Sequence, residues 1–182
     1  MNYTYRGKID VNSILMNLKS ELVDWDMDSI RQEVYKVHSK TKTIPIKWSY
    51  DSLIKETTPP KHPIYYSLFD TYTFTESIRP MVEKVYGEGE FYRICLVKLA
   101  ANSKIDTHKD SGENLIKDQR IHIPIITHPD ITFSVGGEVK NMEVGEMWTI
   151  DNTALHSVDN PTQIDRVHLI IDYKINQKKT LF

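Results

Sequence analysis

RVHLIIDY, residues 166–173, alternates two kinds of side chain with a period of two. In an extended chain Val167, Leu169, Ile171 and Tyr173 share one face, while Arg166 and His168, followed by Ile170, share the other. RIHIPI, residues 120–125, repeats the pattern, with Ile121, Ile123 and Ile125 opposite Arg120 and His122. Strands with so apolar a face need a core to bury it. Their cationic faces admit two readings: each is the solvated outside of a sandwich, or both line one polar cavity inside a jelly roll.

The surrounding sequence is built for such a fold. FYRICLVKLA (91–100), ITFSV (131–135), EVKNMEV (138–144), MWTID (147–151) and LHSVDN (155–160) are further β-rich runs. Turn residues (NS, HPD, GG, GE, NPTQ) separate them, and SVGGEV at 134–139 reads as a hairpin. Seven or eight strands about ten residues apart describe a β-sandwich or jelly roll. Before residue 90 the chain has another character. DVNSILMNLKSELVDW (10–25) places Val11, Ile14, Leu15, Leu18 and Leu22 on one helical stripe, with Asp10 or Asn12 as cap. SIRPMVEKVYG (77–87) reads as a second helix, capped by Ser77 and stopped by Gly87. Between the two, residues 41–73 are rich in proline and aromatic side chains and read as an ordered, mostly irregular wrap.

Composition sets the outer bounds. The chain has 182 residues, 40% hydrophobic and 26% charged, which is one domain's worth with an ordinary globular balance. Residues 1–90 form its helical and irregular part, and 91–175 its β core. A net charge of −2 provides no basic field for nucleic acid or an anionic membrane. No apolar run reaches spanning length, and MNYTYRGKID lacks a signal peptide's apolar core, so the expected setting is cytoplasmic. Cys95, the single cysteine, sits among apolar neighbours and reads as a small core residue.

Chemistry enters with DTHKDSGEN, residues 106–114, where His108 and Asp110 stand one residue apart. His-x-Asp occurs again at His128-Pro129-Asp130, so the motif alone decides nothing. The second copy is a proline-containing turn between strands, and no arginine follows His168 within the chain. The first has His156 46 residues beyond Asp110, with Arg166 ten residues after that histidine. Two imidazoles and one carboxylate suit iron(II) and leave it positions open for other ligands. A buried carboxylate of such a ligand would need a partner, and arginine's planar fork fits it in two places at once.

His-x-Asp, then Arg-x-His, then His with Arg ten residues on, resembles the Fe(II)/2-oxoglutarate-dependent oxygenases. Among these the chain is similar to the aspartyl/asparaginyl β-hydroxylase family, which includes bacterial proline hydroxylases. The likeness runs from about residue 91 to 174. It implies a double-stranded β-helix, that is, a mainly β, α+β chain with a cupin-like jelly roll and N-terminal helices packed on the sheet. It implies that His108, Asp110 and His156 hold Fe(II) and that Arg166 grips the far carboxylate of 2-oxoglutarate. Arg120 and His122 match the family's Arg-x-His pair beside the cosubstrate. Some members lack the carboxylate ligand; Asp110 puts this chain with those having the complete triad. The implied reaction is hydroxylation of an unactivated C–H bond of an amino acid, free or in a peptide.

Two other classes stay open at this stage. A cupin-type metalloenzyme could use the metal without 2-oxoglutarate, and a non-catalytic β-sandwich could carry these residues by accident. His38, His62 and His128 read as structural or surface residues, and Trp148 as a core or cavity-wall aromatic. His168 shares Arg166's face without a settled role. Residues 41–73 and the loop at 111–119 are the expected walls of the opening.

Overall fold

In the computed structural model, the described residues are 1–18, 25–26, 32–33, 35–49, 63–65, 71–110 and 119–176. The strands are β1 (Tyr3–Lys8), β2 (Thr41–Ser49), β3 (Pro63–Tyr65), β4 (Gly89–Leu99), β5 (Ser103–His108) and β6 (Gln119–Ile126). They continue as β7 (Thr132–Val135), β8 (Glu138–Lys140), β9 (Glu146–Ile150), β10 (His156–Asn160) and β11 (Arg166–Ile175). Helices α1 (Asn12–Leu18) and α2 (Thr71–Tyr86) precede the core strands.

From β4 onward the chain crosses between two antiparallel sheets at every connection except the β7–β8 hairpin. The larger runs β1-β9-β6-β11-β4-β2-β3, the smaller β5-β10-β7-β8. Within them β9-β6-β11-β4 faces β5-β10-β7-β8, the eight-stranded double sheet of a jelly roll. The β7–β8 turn places Gly136 and Gly137 at φ of 57° and 83°, the two positive values that a tight two-residue hairpin requires.

Each face of the larger sheet has its own partner. Ile121, Ile123, Ile125, Val167, Leu169, Ile171 and Tyr173 pack outward with Val11, Ile14 of α1, and Ile78 and Val82 of α2. Cys95, Val97 and Ile170 face inward. Arg120, His122, Arg166 and His168 are buried as well, so the cationic faces are not solvated exteriors. The cavity reading of the alternation holds.

Several local expectations change. Thr41–Ser49 is a regular strand on β4, not an irregular wrap. Pro45 sits at a register shift, where a missing donor does least harm to the ladder. Residues 50–62 and 66–70 of that wrap, and with them His62, lie outside the described residues, as do Leu22 and 111–118. Tyr3–Lys8 forms an edge strand on β9 that its charged, glycine-containing sequence hid. Helix α2 begins six residues before Ser77, which is therefore mid-helix and not a cap, and carries Pro80 inside. Burial of Ile78 and Val82, four residues apart on one face, holds the helix on the sheet despite the lost hydrogen bond. Gly87 does end it, at φ 83° with its N–H on the Glu83 carbonyl. Asp10 caps α1 by accepting from the Asn12 N–H at 2.9 Å.

Candidate metal centre and cosubstrate cavity

His108 ends β5 and His156 begins β10, and the two strands pair them directly across the ladder. Their rings stand 4.2 Å apart, centre to centre. Asp110 follows β5, where its N–H donates to the Asn152 carbonyl at 3.1 Å. The three residues offer ligand atoms within 4.8 Å of one another, and Asp110 Oδ1 lies 3.9 Å from Nε2 of each histidine.

Backbone contacts decide which nitrogens face the centre. His108 Nδ1 is 2.8 Å from the Asp106 carbonyl, and His156 Nδ1 is 3.0 Å from that of Ala154. A carbonyl only accepts, so each Nδ1 carries the proton and each Nε2 presents a lone pair toward Asp110. Histidine metal ligands are held in this way, with the remote ring nitrogen donating to an oxygen. Burial also lowers the His156 pKa, favouring the neutral, ligating form. The donor set of two nitrogens and one carboxylate oxygen fits iron(II).

The three residues border a cavity of about 420 Å3, its open mouth included. Arg120, His122 and Arg166 line it from the larger sheet, and Phe133 from the smaller. The six residues singled out in the sequence thus come together at one place. His38 lines it too, its ring edge-on to His108 at 5.3 Å; no sequence signal marked it. His128 is exposed and its Asp130 neighbour more so, which leaves the second His-x-Asp on the surface. Cys95 is buried, and Trp148 stands against Tyr3 and Tyr5 at the wall of the smaller core.

Arg166 is the electrostatic anomaly of the cavity. Its side chain is 2% exposed, and burial pushes its pKa down to about 9. Among the described residues no carboxylate pairs with it. Nη2 donates to His168 Nδ1 at 2.7 Å, and the guanidinium lies 5.6 Å from the Phe133 ring centre. A buried cation without an anion is costly. Arg120, by contrast, is engaged: it forks onto Asp172 at 2.8 and 3.0 Å and reaches Asp110 with Nη1.

His168 accepts from Arg166 and is held neutral by burial, with the Arg166 and His122 charges adding to the effect. Its pKa falls well below 6.5 in the folded state, so the unfolded chain binds the proton more readily. Stability of the metal-free protein should therefore fall as pH drops below about 6.5, by up to about 1.4 kcal/mol per pH unit for each such histidine. Melting temperatures between neutral and mildly acidic pH should fall less steeply for His168→Gln than for the natural chain. Equal slopes would mean that His168 takes up a proton without difficulty in the fold.

Residues 24–175 match the family model described as aspartyl/asparaginyl beta-hydroxylase. The chain belongs to that family. Membership extends the likeness to within the first ninety residues, and it makes the chain a member of a hydroxylase family of oxygenase type. An oxidoreductase of the 2OG-Fe(II) oxygenase family from Burkholderia pseudomallei superposes with TM-score 0.56 at 14% identity, over 75% of this chain and 69% of its own. A non-haem monooxygenase, ThoJ, solved as a nickel complex, superposes with TM-score 0.54 at 14% identity, over 96% and 74%. At such identity these two speak for the jelly-roll fold of the hydroxylase alone. No curated protein matches the chain in sequence. No described helix is long and apolar enough to cross a membrane.

Proposed function

We propose that this β-hydroxylase family member is an Fe(II)- and 2-oxoglutarate-dependent dioxygenase that hydroxylates an unactivated C–H bond of an amino acid, free or in a peptide. The observation that carries the reading is the pairing, in one cavity, of a His-Asp-His cluster with a buried arginine that, among the described residues, has no carboxylate partner. His108, Asp110 and His156 would hold the iron. Arg166 would take the far carboxylate of the cosubstrate, and its fork fits both oxygens. Iron with 2-oxoglutarate and oxygen supplies the C–H oxidation, the cosubstrate leaving as succinate and carbon dioxide.

The chain's own contribution is placement and dryness. The Nδ1 contacts to Asp106 and Ala154 fix the ring planes and keep Nε2 deprotonated. Phe133 lies nearly parallel to the His156 ring, 18° between planes, and covers the guanidinium from the other side of the cavity. His168, whose Nδ1 accepts from Arg166 Nη2, ties down one end of the guanidinium. His122 stands 5.3 Å from Phe133, ring centre to ring centre, and lines the same cavity. A cupin enzyme that dispenses with 2-oxoglutarate would have no use for an unpaired Arg166, which is why the oxygenase reading is preferred. We place the chain in one functional unit, since β1 and β2 complete the sheet that carries the site.

The test is turnover. Purified protein with Fe(II), oxygen and isotopically labelled 2-oxoglutarate should release labelled succinate slowly alone, and faster with the matching member of a panel of free amino acids and short peptides. The stimulating compound should gain one oxygen atom by mass. Absence of labelled succinate across the panel would transfer the assignment to the cupin class.

A further inference from the structure

Three charged side chains form a row on the inner wall of the larger sheet. Arg93 on β4 and Arg120 on β6 each stand in register with Asp172 of β11, which lies between them. They are 8%, 6% and 1% exposed. Asp172 accepts two parallel bonds from Arg120 Nε and Nη2, and its Oδ2 lies 2.5 Å from Arg93 Nη2. Arg120 then reaches out of the row, Nη1 donating to Oδ2 of Asp110. The other oxygen of that carboxylate, Oδ1, is the one turned toward the two imidazoles.

We infer that Asp172 is a positioning residue for the metal ligand: by fixing Arg120, it turns Asp110 so that Oδ1 alone faces the ion. The inference rests on the metal-site reading above. An arginine side chain is long and has many rotamers, and a bidentate carboxylate locks its plane. With Nε and Nη2 committed to Asp172, Nη1 has one direction left, which is toward Asp110. Asp172 also shares the guanidinium's charge. Without it, Arg120 would be the undivided counter-ion of Asp110 and would compete with a metal for the same carboxylate. An outer partner acting in this manner tunes ligand orientation and basicity together.

Co(II) is the probe, titrated into the metal-free full chain and followed by its visible absorption, with circular dichroism confirming the fold of each variant. Asp172→Asn should weaken Co(II) binding roughly 10- to 100-fold, the usual effect of losing an outer-shell partner. In an Arg120→Gln background the same substitution should change nothing further, because the effect runs through Arg120. Arg120→Lys keeps the charge but not the fork, and should lose affinity to a similar extent; it serves if Asp172→Asn does not fold. Natural affinity in folded Asp172→Asn or Arg120→Lys, or losses that simply add, would overturn the inference and leave the metal site standing. No Co(II) binding by the natural chain would remove the metal-site reading and this inference with it.

Discussion

Arg166→Met should bind iron normally and lose most of its affinity for 2-oxoglutarate. Arg166 opens β11, whose other face (Val167, Leu169, Ile171) is anchored in the larger core, so the backbone beneath the guanidinium cannot shift to compensate. Losing one partner of a buried charge pair costs about 2–5 kcal/mol, roughly thirtyfold or more in affinity. Arg166→Lys should recover only part, since the charge returns without the two-pronged geometry. The same change should not harm the unliganded fold. Desolvating a cation costs several kcal/mol, whereas the charge-assisted hydrogen bond to His168 contributes about 1.5–3 kcal/mol. The metal-free methionine variant should therefore melt at or above the natural temperature. Calorimetric titration of iron-loaded protein with 2-oxoglutarate, beside a thermal melt, reads both effects. Unchanged 2-oxoglutarate affinity would show that the arginine is not its partner.

Asp110→Ala or His156→Ala should weaken Fe(II) binding by more than the roughly 10- to 100-fold expected for an outer-shell change, because each removes a ligand atom. Both should still fold. Asp110 lies at the cavity rim beyond β5, and His156 is bonded through Nδ1 only to a carbonyl of its own turn. Asp130→Ala, in the exposed second His-x-Asp, should bind iron as the natural chain does. Anaerobic Fe(II) titration is the measurement. Natural affinity in both cavity variants would take Asp110 and His156 out of the metal site.

The sheet faces at 120–125 and 166–173 were legible because strand alternation sorts side chains without reference to anything distant. What the polar faces look at was not legible, since β5, β7 and β10 supply the opposing wall from segments far along the chain. The spacing of His108, Asp110, His156 and Arg166 bridged that gap, because metal chemistry restricts which residues can be brought together. The alternation also extends to charged residues on the inward face. Asp172 continues the series 166, 168, 170, and Arg93 precedes Cys95 and Val97 on the same inward face. Both charges are found by carrying the alternation one further step on each strand. Strand β2 was obscured by Pro45, which a bulge accommodates, and the start of α2 by a threonine- and aromatic-rich stretch of low helix propensity. His38 has no pattern around it; only the three-dimensional packing of its short helical turn on β5 puts its ring beside His108.

The central claim is that one cavity holds a metal and a dicarboxylate at the same time, and crystals grown anaerobically with Fe(II) and 2-oxoglutarate address it directly. The account predicts metal density bonded to His108 Nε2, His156 Nε2 and one oxygen of Asp110, with the cosubstrate's far carboxylate paired to the Arg166 guanidinium. Metal elsewhere, or a cosubstrate that leaves Arg166 without a carboxylate partner, would contradict it.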